Sequence, residues 1–314
     1  MKTVTIGRSS LTSTRLAYGC WRLAGTWDAA HVTPEKQARG VAAALAAFEA
    51  GYTLFDLADI YCDGVAESLF GEALRQAPEV RERILVTTKC GIRKAGDPDT
   101  RAPYRYDFSA DYIVQSCEGS LQRLGIDVID IYLLHRPDYL GDPAEVASAF
   151  DRLKQSGKVR EFGVSNFRPS QVTALQKAWT APLVINQVEI SLAQLAAFQD
   201  GTLDQCLTEK ITPVAWSPLA GGKLGSPAVA DMHDPHHAKK LKLHDAIELL
   251  ARERGVSKIV VALAWLLRHP AGIIPIVGST QPERIVEAVQ ADDFEFSREE
   301  WYRLLEGALG QRLP

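Results

Sequence analysis

Eight short apolar runs, separated by stretches of helical periodicity, constrain this chain more than any other feature. The runs are Leu16 to Gly19, Tyr52 to Phe55 ending at Asp56, Ile84 to Thr88, Val128 to Leu134, Glu161 to Val164, Leu183 to Val188, Ile211 to Trp216 and Ile273 to Val277. Helical patterns lie at Pro34 to Ala50, Ala66 to Arg75, Ser109 to Leu124, Pro143 to Gln155, Pro169 to Ala178, Leu203 to Glu209 and His244 to Arg254. Two more follow the last run, at Pro282 to Val289 and Ser297 to Leu305. The first helix has Thr33 as a cap and Pro34 in its first turn, and Gly51, Gly125 and Gly157 mark stops. Residues 3–6 and 14–18, with a turn-like Gly7 to Ser10, predict a short N-terminal β-hairpin or lid.

Apolar strands alternating with helices imply a parallel sheet covered on both faces. Eight such units in 314 residues predict a (β/α)8 TIM barrel occupying residues 1–314 as a single domain. The competitor is a doubly wound sheet, which carries a G-x-G-x-x-G turn after its first strand. Here the first run is followed by Gly19-Cys20-Trp21-Arg22-Leu23, which lacks that turn.

Composition narrows the partners. Lys plus Arg is 35 and Asp plus Glu is 39, a net charge of −4, and no basic stripe stands out, so nucleic acid is not an expected partner. The run of Lys239, Lys240 and Lys242 reads as an exposed helix start. No apolar run reaches the length of a membrane span, and Met1 to Thr5 carries no signal-peptide apolar region. The five cysteines, Cys20, Cys62, Cys90, Cys117 and Cys206, form no C-x-x-C pair, which fits free thiols in a reducing, cytoplasmic compartment.

In a barrel, side chains just beyond the strand C-termini share one face. At those positions stand Asp56 with Tyr61 five residues on, Lys89, His135, Ser165-Asn166, Gln187, Trp216-Ser217 and Gly278 to Thr280. Asp56 and Tyr61 alone would read as a helix-capping acid and a packed ring. Lys89 and His135, each at the end of a different strand, change that reading. A nearby ammonium favours a phenolate, a carboxylate beside the ammonium holds it charged, and an imidazole orients a carbonyl oxygen or relays a proton. No G-x-S-x-G is present. The set suits protonation of a carbonyl oxygen while a cofactor delivers hydride.

The motifs carry a resemblance to a known family. Gly51-Tyr52-Thr53-Leu54-Phe55-Asp56-Leu57-Ala58-Asp59-Ile60-Tyr61, Thr87-Thr88-Lys89-Cys90-Gly91, the segment Ile129 to Pro137, the segment Gly157 to Phe167 and Trp216-Ser217-Pro218-Leu219 together resemble the aldo-keto reductases across essentially the whole chain. Within the family, His135-Arg136-Pro137-Asp138 and Trp216 to Gly222 are most similar to bacterial NADPH-dependent oxidoreductases of the YdhF kind. The resemblance implies a barrel that binds NADPH in extended form and reduces small aldehydes or ketones, with NADH possible as a substitute. It implies Tyr61 as general acid, Lys89 lowering the Tyr61 pKa, Asp56 holding Lys89, and His135 positioning the carbonyl. By the same resemblance Ser165, Asn166 and Gln187 hold the nicotinamide amide and Trp216 stacks on its ring. Ser217, Pro218, Leu219, Gly221 and Lys223 line the pyrophosphate, and Trp21 and Arg22 touch pocket and cofactor. Gly278, Ser279, Thr280 and Arg284 match the adenosine-phosphate site, where Ser279 and Arg284 suit a 2′-phosphate.

Three departures and three loops remain. Gly278 stands where a Lys is common in NADPH-selective relatives, Ala288 replaces a common Asn, and Cys62 stands where Gly often follows the catalytic Tyr. His233-Asp234-Pro235-His236-His237 lacks regular ligand spacing and is not read as a metal site. Trp27, in the first βα loop, is a candidate substrate contact, and Arg101 to Arg105 is either pocket rim or solvated loop. Two alternatives accompany the reductase reading: an NAD(P)-dependent sugar or polyol dehydrogenase, and a redox-sensing regulatory subunit. The chain after Phe296 is short, which suggests an open pocket. Substrate identity and oligomeric state are not legible in the motifs.

Overall fold

A computed structural model describes residues 1–227 and 236–314. Its described residues form a closed barrel of eight parallel strands: β1 (Ala17–Gly19), β2 (Leu54–Asp56), β3 (Leu85–Cys90), β4 (Ile129–Leu134), β5 (Val159–Ser165), β6 (Leu183–Glu189), β7 (Thr212–Trp216) and β8 (Ile274–Val277). Each strand pairs with its neighbours in sequence, and β8 closes on β1 through Ile276–Ala17 and Val277–Tyr18. The barrel predicted from the alternation is therefore the observed fold.

The outer layer holds α1 (Pro34–Glu49), α2 (Val65–Gln76), α3 (Ala110–Leu124), α4 (Pro143–Gln155), α5 (Pro169–Ala178), α6 (Thr202–Glu209), α7 (His237–Arg254), α8 (Lys258–Leu267), α9 (Pro282–Val289) and α10 (Arg298–Leu309). Local chemistry sets their ends. The Thr33 hydroxyl accepts from the Lys36 amide and Pro34 opens α1. Gly125 takes a left-handed C-cap at the end of α3. Apolar side chains fill two layers. Leu54, Leu85, Ile131, Leu133, Val214 and Ile274 pack inside the barrel, and a larger cluster lies between strands and helices.

Three expectations needed revision. The hairpin pairs Thr3–Thr5 with Thr12–Thr14, not with 14–18, because Ala17 to Gly19 is already committed to the barrel. It forms the barrel floor and is not a lid. Ile6 and Leu11 plug the interior cluster, and the Gly7 amide donates to the Thr212 hydroxyl at the start of β7. Helix α7 begins at His237, seven residues before the periodic span His244 to Arg254, and takes in Lys239, Lys240 and Lys242, the exposed helix start expected of those lysines. Helix α8 has no counterpart in the sequence reading. Its Val260 to Leu267 are all buried, so it shows no amphipathic period. Trp265 of α8 and Trp301 of α10 lock the two together, with rings stacked at 4.8 Å and each indole N–H donating to the other residue's carbonyl. Of the histidine-containing loop, His233 to Pro235 lie outside the described residues. No group of metal-ligating side chains occurs among the described ones.

Candidate active site

Strand lengths bring the predicted four together. Asp56 ends β2 and is in register with Thr87 of β3. Strand β3 runs on to Cys90, so Lys89, two residues beyond Thr87, points to the same face. The chain leaving β2 then continues along β3. The Leu57 amide donates to the Thr87 carbonyl at 2.8 Å and the Asp59 amide to the Lys89 carbonyl at 3.1 Å. Those two bonds fix the loop that carries Tyr61 over the strand that carries Lys89.

The Lys89 side chain is fully buried and all three of its N–H donors are engaged. They reach Asp56 Oδ1 at 2.7 Å, the Leu57 carbonyl at 2.6 Å and the Tyr61 hydroxyl at 3.1 Å. Burial pushes the ammonium pKa down, but Asp56 and Tyr61 more than offset that, and the net direction is up. Lys89 is therefore charged across the working pH range. Asp56 Oδ1 also accepts from Gln187 Nε2 at 2.7 Å, so the carboxylate is paired on two sides. Asp56 reaches the phenol only through Lys89.

For Tyr61 the direction differs from the expectation. Burial raises its pKa, Lys89 lowers it, and burial wins. The phenol is held as phenol. Beside it His135 is pushed well below its ordinary value, first by burial and then by the charges of Lys89 and Arg136. The imidazole is neutral, its ring 5.8 Å from that of Tyr61 and nearly perpendicular to it. His135 Nδ1 is buried with no hydrogen-bond partner among the described residues.

Cys62 has a backbone reason for being unusual. Cys62, Asp63 and Gly64 have φ of 49°, 56° and 84°, three left-handed residues that turn the chain into α2. A non-glycine residue there costs roughly 1–2 kcal/mol, which is why glycine suits the position. The Cys62 side chain is buried.

The expected cofactor residues lie on the same rim. Ser165 Oγ donates to the Gln187 carbonyl, and Asn166 Nδ2 donates to Ser165 Oγ and to the His135 carbonyl. Asn166 Oδ1 accepts from Trp216 Nε1 at 3.0 Å, fixing the tilt of that indole at the end of β7. Gln187 thus bonds the Asp56 carboxylate through its side chain and Ser165 through its backbone. Beyond Trp216 the backbone is left-handed at Ser217, Ala220, Gly221 and Gly222. Pro218 and Leu219 lie within this stretch, and Lys223 and Leu224 follow in a 3₁₀ turn, Ala220–Gly225. A methyl group built on Gly221 or Gly222 would meet nothing within 4 Å among the described residues.

At the far end, after β8, the Tyr18 hydroxyl donates to the Ser279 carbonyl and the Ser279 hydroxyl caps the Gln281 amide. Thr280 lies in that turn. Arg284 on α9 is exposed and, with Lys258, Glu248 and Glu287, lines a cavity of about 510 Å³. Gly278 is small for a reason seen only in three dimensions. A Cβ there would come within 2.9 Å of Trp21 Nε1. The Trp21 indole stacks on Trp27 at 5.1 Å, Arg22 lies over Trp21 at 4.3 Å, and Trp27 stands edge-on to Tyr61 at 6.4 Å. An aromatic wall therefore runs from Gly278 to the phenol. The loop at Arg101 to Arg105 ends in a small hairpin, Ile92–Arg93 with Arg105–Tyr106. The sequence reading missed two groups here. The Leu57 carbonyl, which engages Lys89, has no sequence signal. Arg136 had one, its place directly after His135.

A family model described as Aldo/keto reductase family matches residues 15–306. The 6-dehydroglucose reductase of Novosphingobium aromaticivorans is 42% identical, over 98% of this chain and 96% of its own length. Oxidoreductase YdhF of Escherichia coli is 42% identical, over 84% of this chain and 85% of its own, in keeping with the likeness expected from the motifs. The crystal structure of an aldo/keto reductase from Klebsiella pneumoniae in complex with NADP and acetate superposes with a TM-score of 0.75 at 28% identity. It covers 96% of this chain and 94% of that one.

Proposed function

The chain belongs to the aldo/keto reductase family, and from that premise we propose that it is an NADPH-dependent oxidoreductase reducing small aldehydes or ketones to alcohols. One observation carries the reading: a buried lysine bridges a carboxylate at 2.7 Å and a phenol at 3.1 Å, with a neutral imidazole beside that phenol. Tyr61 donates the proton to the carbonyl oxygen. As the proton leaves, the Lys89 ammonium stabilises the phenolate, and Asp56 keeps Lys89 charged and in place. His135, neutral, orients the carbonyl by hydrogen bonding. Burial keeps Tyr61 protonated at neutral pH, which an acid in the reductive direction requires.

The residues present fit a nicotinamide dinucleotide. Trp216 offers a fixed aromatic face, the left-handed, glycine-containing loop after it suits a pyrophosphate, and Arg284 supplies a cation for a 2′-phosphate. Bound there, the nicotinamide supplies the hydride. Ser165, Asn166 and Gln187 would hold its amide. Gln187 also bonds Asp56, so cofactor and acid–base groups share one network. NADH is the expected weaker substitute, since Gly278 stands where NADPH-selective relatives commonly carry a lysine. The whole chain, residues 1–314, is read as one barrel domain. Its five free, buried cysteines suit a cytoplasmic enzyme, and among the described residues no helix is long and apolar enough to cross a membrane.

The decisive experiment is Tyr61→Phe. NADPH oxidation with a panel of aldehydes should fall by at least a hundredfold while NADPH still binds. Reduction that persists in this variant would refute the role. The 42% identity to a 6-dehydroglucose reductase makes a sugar-sized aldehyde the first substrate to try. It also keeps the oxidative reading, a sugar or polyol dehydrogenase, in view. Measuring both directions with both cofactors separates the two. The intact set of four speaks against a regulatory subunit without catalysis.

A further inference from the structure

Arg136 follows His135 at the end of β4 and takes no part in the proposed proton transfer. It is half-buried, yet among the described residues it forms no ion pair and no hydrogen bond. Other half-buried arginines of this chain are neutralised: Arg93 by Asp97 and Asp107, Arg123 by Glu67, Arg81 by Asp130. The Arg136 guanidinium lies instead over the Trp216 ring, its Cζ 5.6 Å from the centroid. Its charge is felt by three groups of the rim, one beside it in the chain and two on other elements. These are His135 on its own strand, Tyr104 beside the small hairpin and Glu189 at the end of β6. Glu189 is a carboxylate that feels this charge, yet no ion pair or hydrogen bond joins it to Arg136 among the described residues.

A partly desolvated guanidinium carries a cost that a partner must offset. Here the cation is steadied on an aromatic face, which compensates in part and leaves its N–H fork uncommitted. Its neighbour in sequence is the imidazole that the proposed reaction places at the carbonyl. An anionic group a few bonds from a carbonyl held by His135 and Tyr61 would meet this fork. Trp27, 59% exposed and edge-on to Tyr61, gives the same mouth an apolar wall for the carbon chain between the two groups.

We propose that Arg136 sets substrate specificity by binding an anionic group, a carboxylate or a phosphate, carried by the carbonyl substrate. The inference rests on the reductase reading and deepens it. The anion itself is unchanged: the carbonyl is reduced to the alcohol at the expense of NADPH, and Arg136 only binds and orients.

The test compares matched pairs of probes in the full chain. Succinic semialdehyde against butanal, and 4-carboxybenzaldehyde against 4-methylbenzaldehyde, report on carboxylate recognition. Glyceraldehyde 3-phosphate against glyceraldehyde reports on phosphate. In the wild type, kcat/KM should favour at least one charged member. In Arg136→Ala that charged-to-neutral ratio should fall at least tenfold, mostly through KM, and Arg136→Lys should recover part of it. A wild type with no preference for any charged member, or a variant that loses both members of a pair in equal proportion, overturns the inference. Binding of benzoate to the protein saturated with NADP+, followed by calorimetry, keeps the test independent of turnover. Affinity should drop at least tenfold in Arg136→Ala, and equal affinities would also overturn it. Failure of the reductase reading looks different: no NADPH oxidation with any probe, charged or neutral.

Discussion

Asp56→Asn isolates the electrostatic anchor of the site. The wild-type carboxylate accepts from Lys89 at 2.7 Å and from Gln187 at 2.7 Å, and Lys89 is fully buried. The amide keeps the shape and an acceptor oxygen but removes the charge, leaving a buried ammonium whose partners, the amide oxygen, the Leu57 carbonyl and the Tyr61 hydroxyl, are all neutral. Removing one member of a buried ion pair costs about 3–5 kcal/mol. At an unfolding entropy of about 2.1 cal/mol/K per residue, the 314 residues give roughly 0.7 kcal/mol/K, so the midpoint should drop by roughly 5–8 °C. Lys89 should also lose protons more readily, because Asp56 is the first of the groups that raise its pKa against burial. Reduction should then fall as Tyr61 loses its cationic neighbour. The double variant Asp56→Asn with Lys89→Met removes both charges and is the sharper measurement. Apolar replacement of a buried pair is often neutral or stabilising, so the double variant should melt above the single Asp56→Asn. Thermal unfolding of the four proteins gives the coupling, expected at about 2–4 kcal/mol. A double variant whose loss equals the sum of the single losses would show that the two charges do not depend on each other.

Three further outcomes follow from other parts of the molecule. A general acid must be protonated to act, and burial places Tyr61 above its ordinary value of 10, so reduction should persist at alkaline pH and fall only above about pH 10; His135, neutral, should add no limb between pH 6.5 and 8 in a kcat/KM profile. Asp59 is raised by burial to about 7, with Ser116 donating to its Oδ2 and no hydrogen-bond partner for Oδ1 among the described residues, so the folded state holds a proton that the unfolded chain releases near pH 4. Stability should therefore decline as pH rises from about 4 to 7, and Asp59→Asn should remove that decline and gain on the order of 1–3 kcal/mol at pH 8, read from melting curves at pH 5 and 8. Replacing Arg284 with Gln should lower the preference for NADPH over NADH at least tenfold in steady-state kinetics, and an unchanged ratio would move 2′-phosphate recognition elsewhere, with Lys258 of the same cavity the next candidate.

How far the sequence reached depended on the kind of information each element carries. Strands and amphipathic helices announce themselves through local periodicity, and α4, α5 and α9 match their predicted spans residue for residue. Helix α8 was invisible for the same reason in reverse, since a segment buried on every side has no period to read. The lysine-rich first turns of α7 lack the apolar stripe that marked its later part. The site was legible as a set of residue types at strand ends, because a parallel barrel gathers those ends on one face. Its electrostatics were not. Whether Lys89 or burial governs Tyr61 is a contest between a 3.1 Å contact and desolvation, and only packing decides it.

By itself the sequence determined the barrel, the family and the four polar groups that the barrel brings to one face, because each rests on a local pattern or a short motif. Tertiary structure decided that the N-terminal hairpin is a floor and that Gly278 is the space Trp21 occupies. It also decided that Asp56, Lys89 and Gln187 form one buried network and that Arg136 stands over Trp216 without a carboxylate partner among the described residues. Those facts join residues tens to hundreds of positions apart. They depend on distances and dielectric surroundings that exist only after the chain has closed on itself.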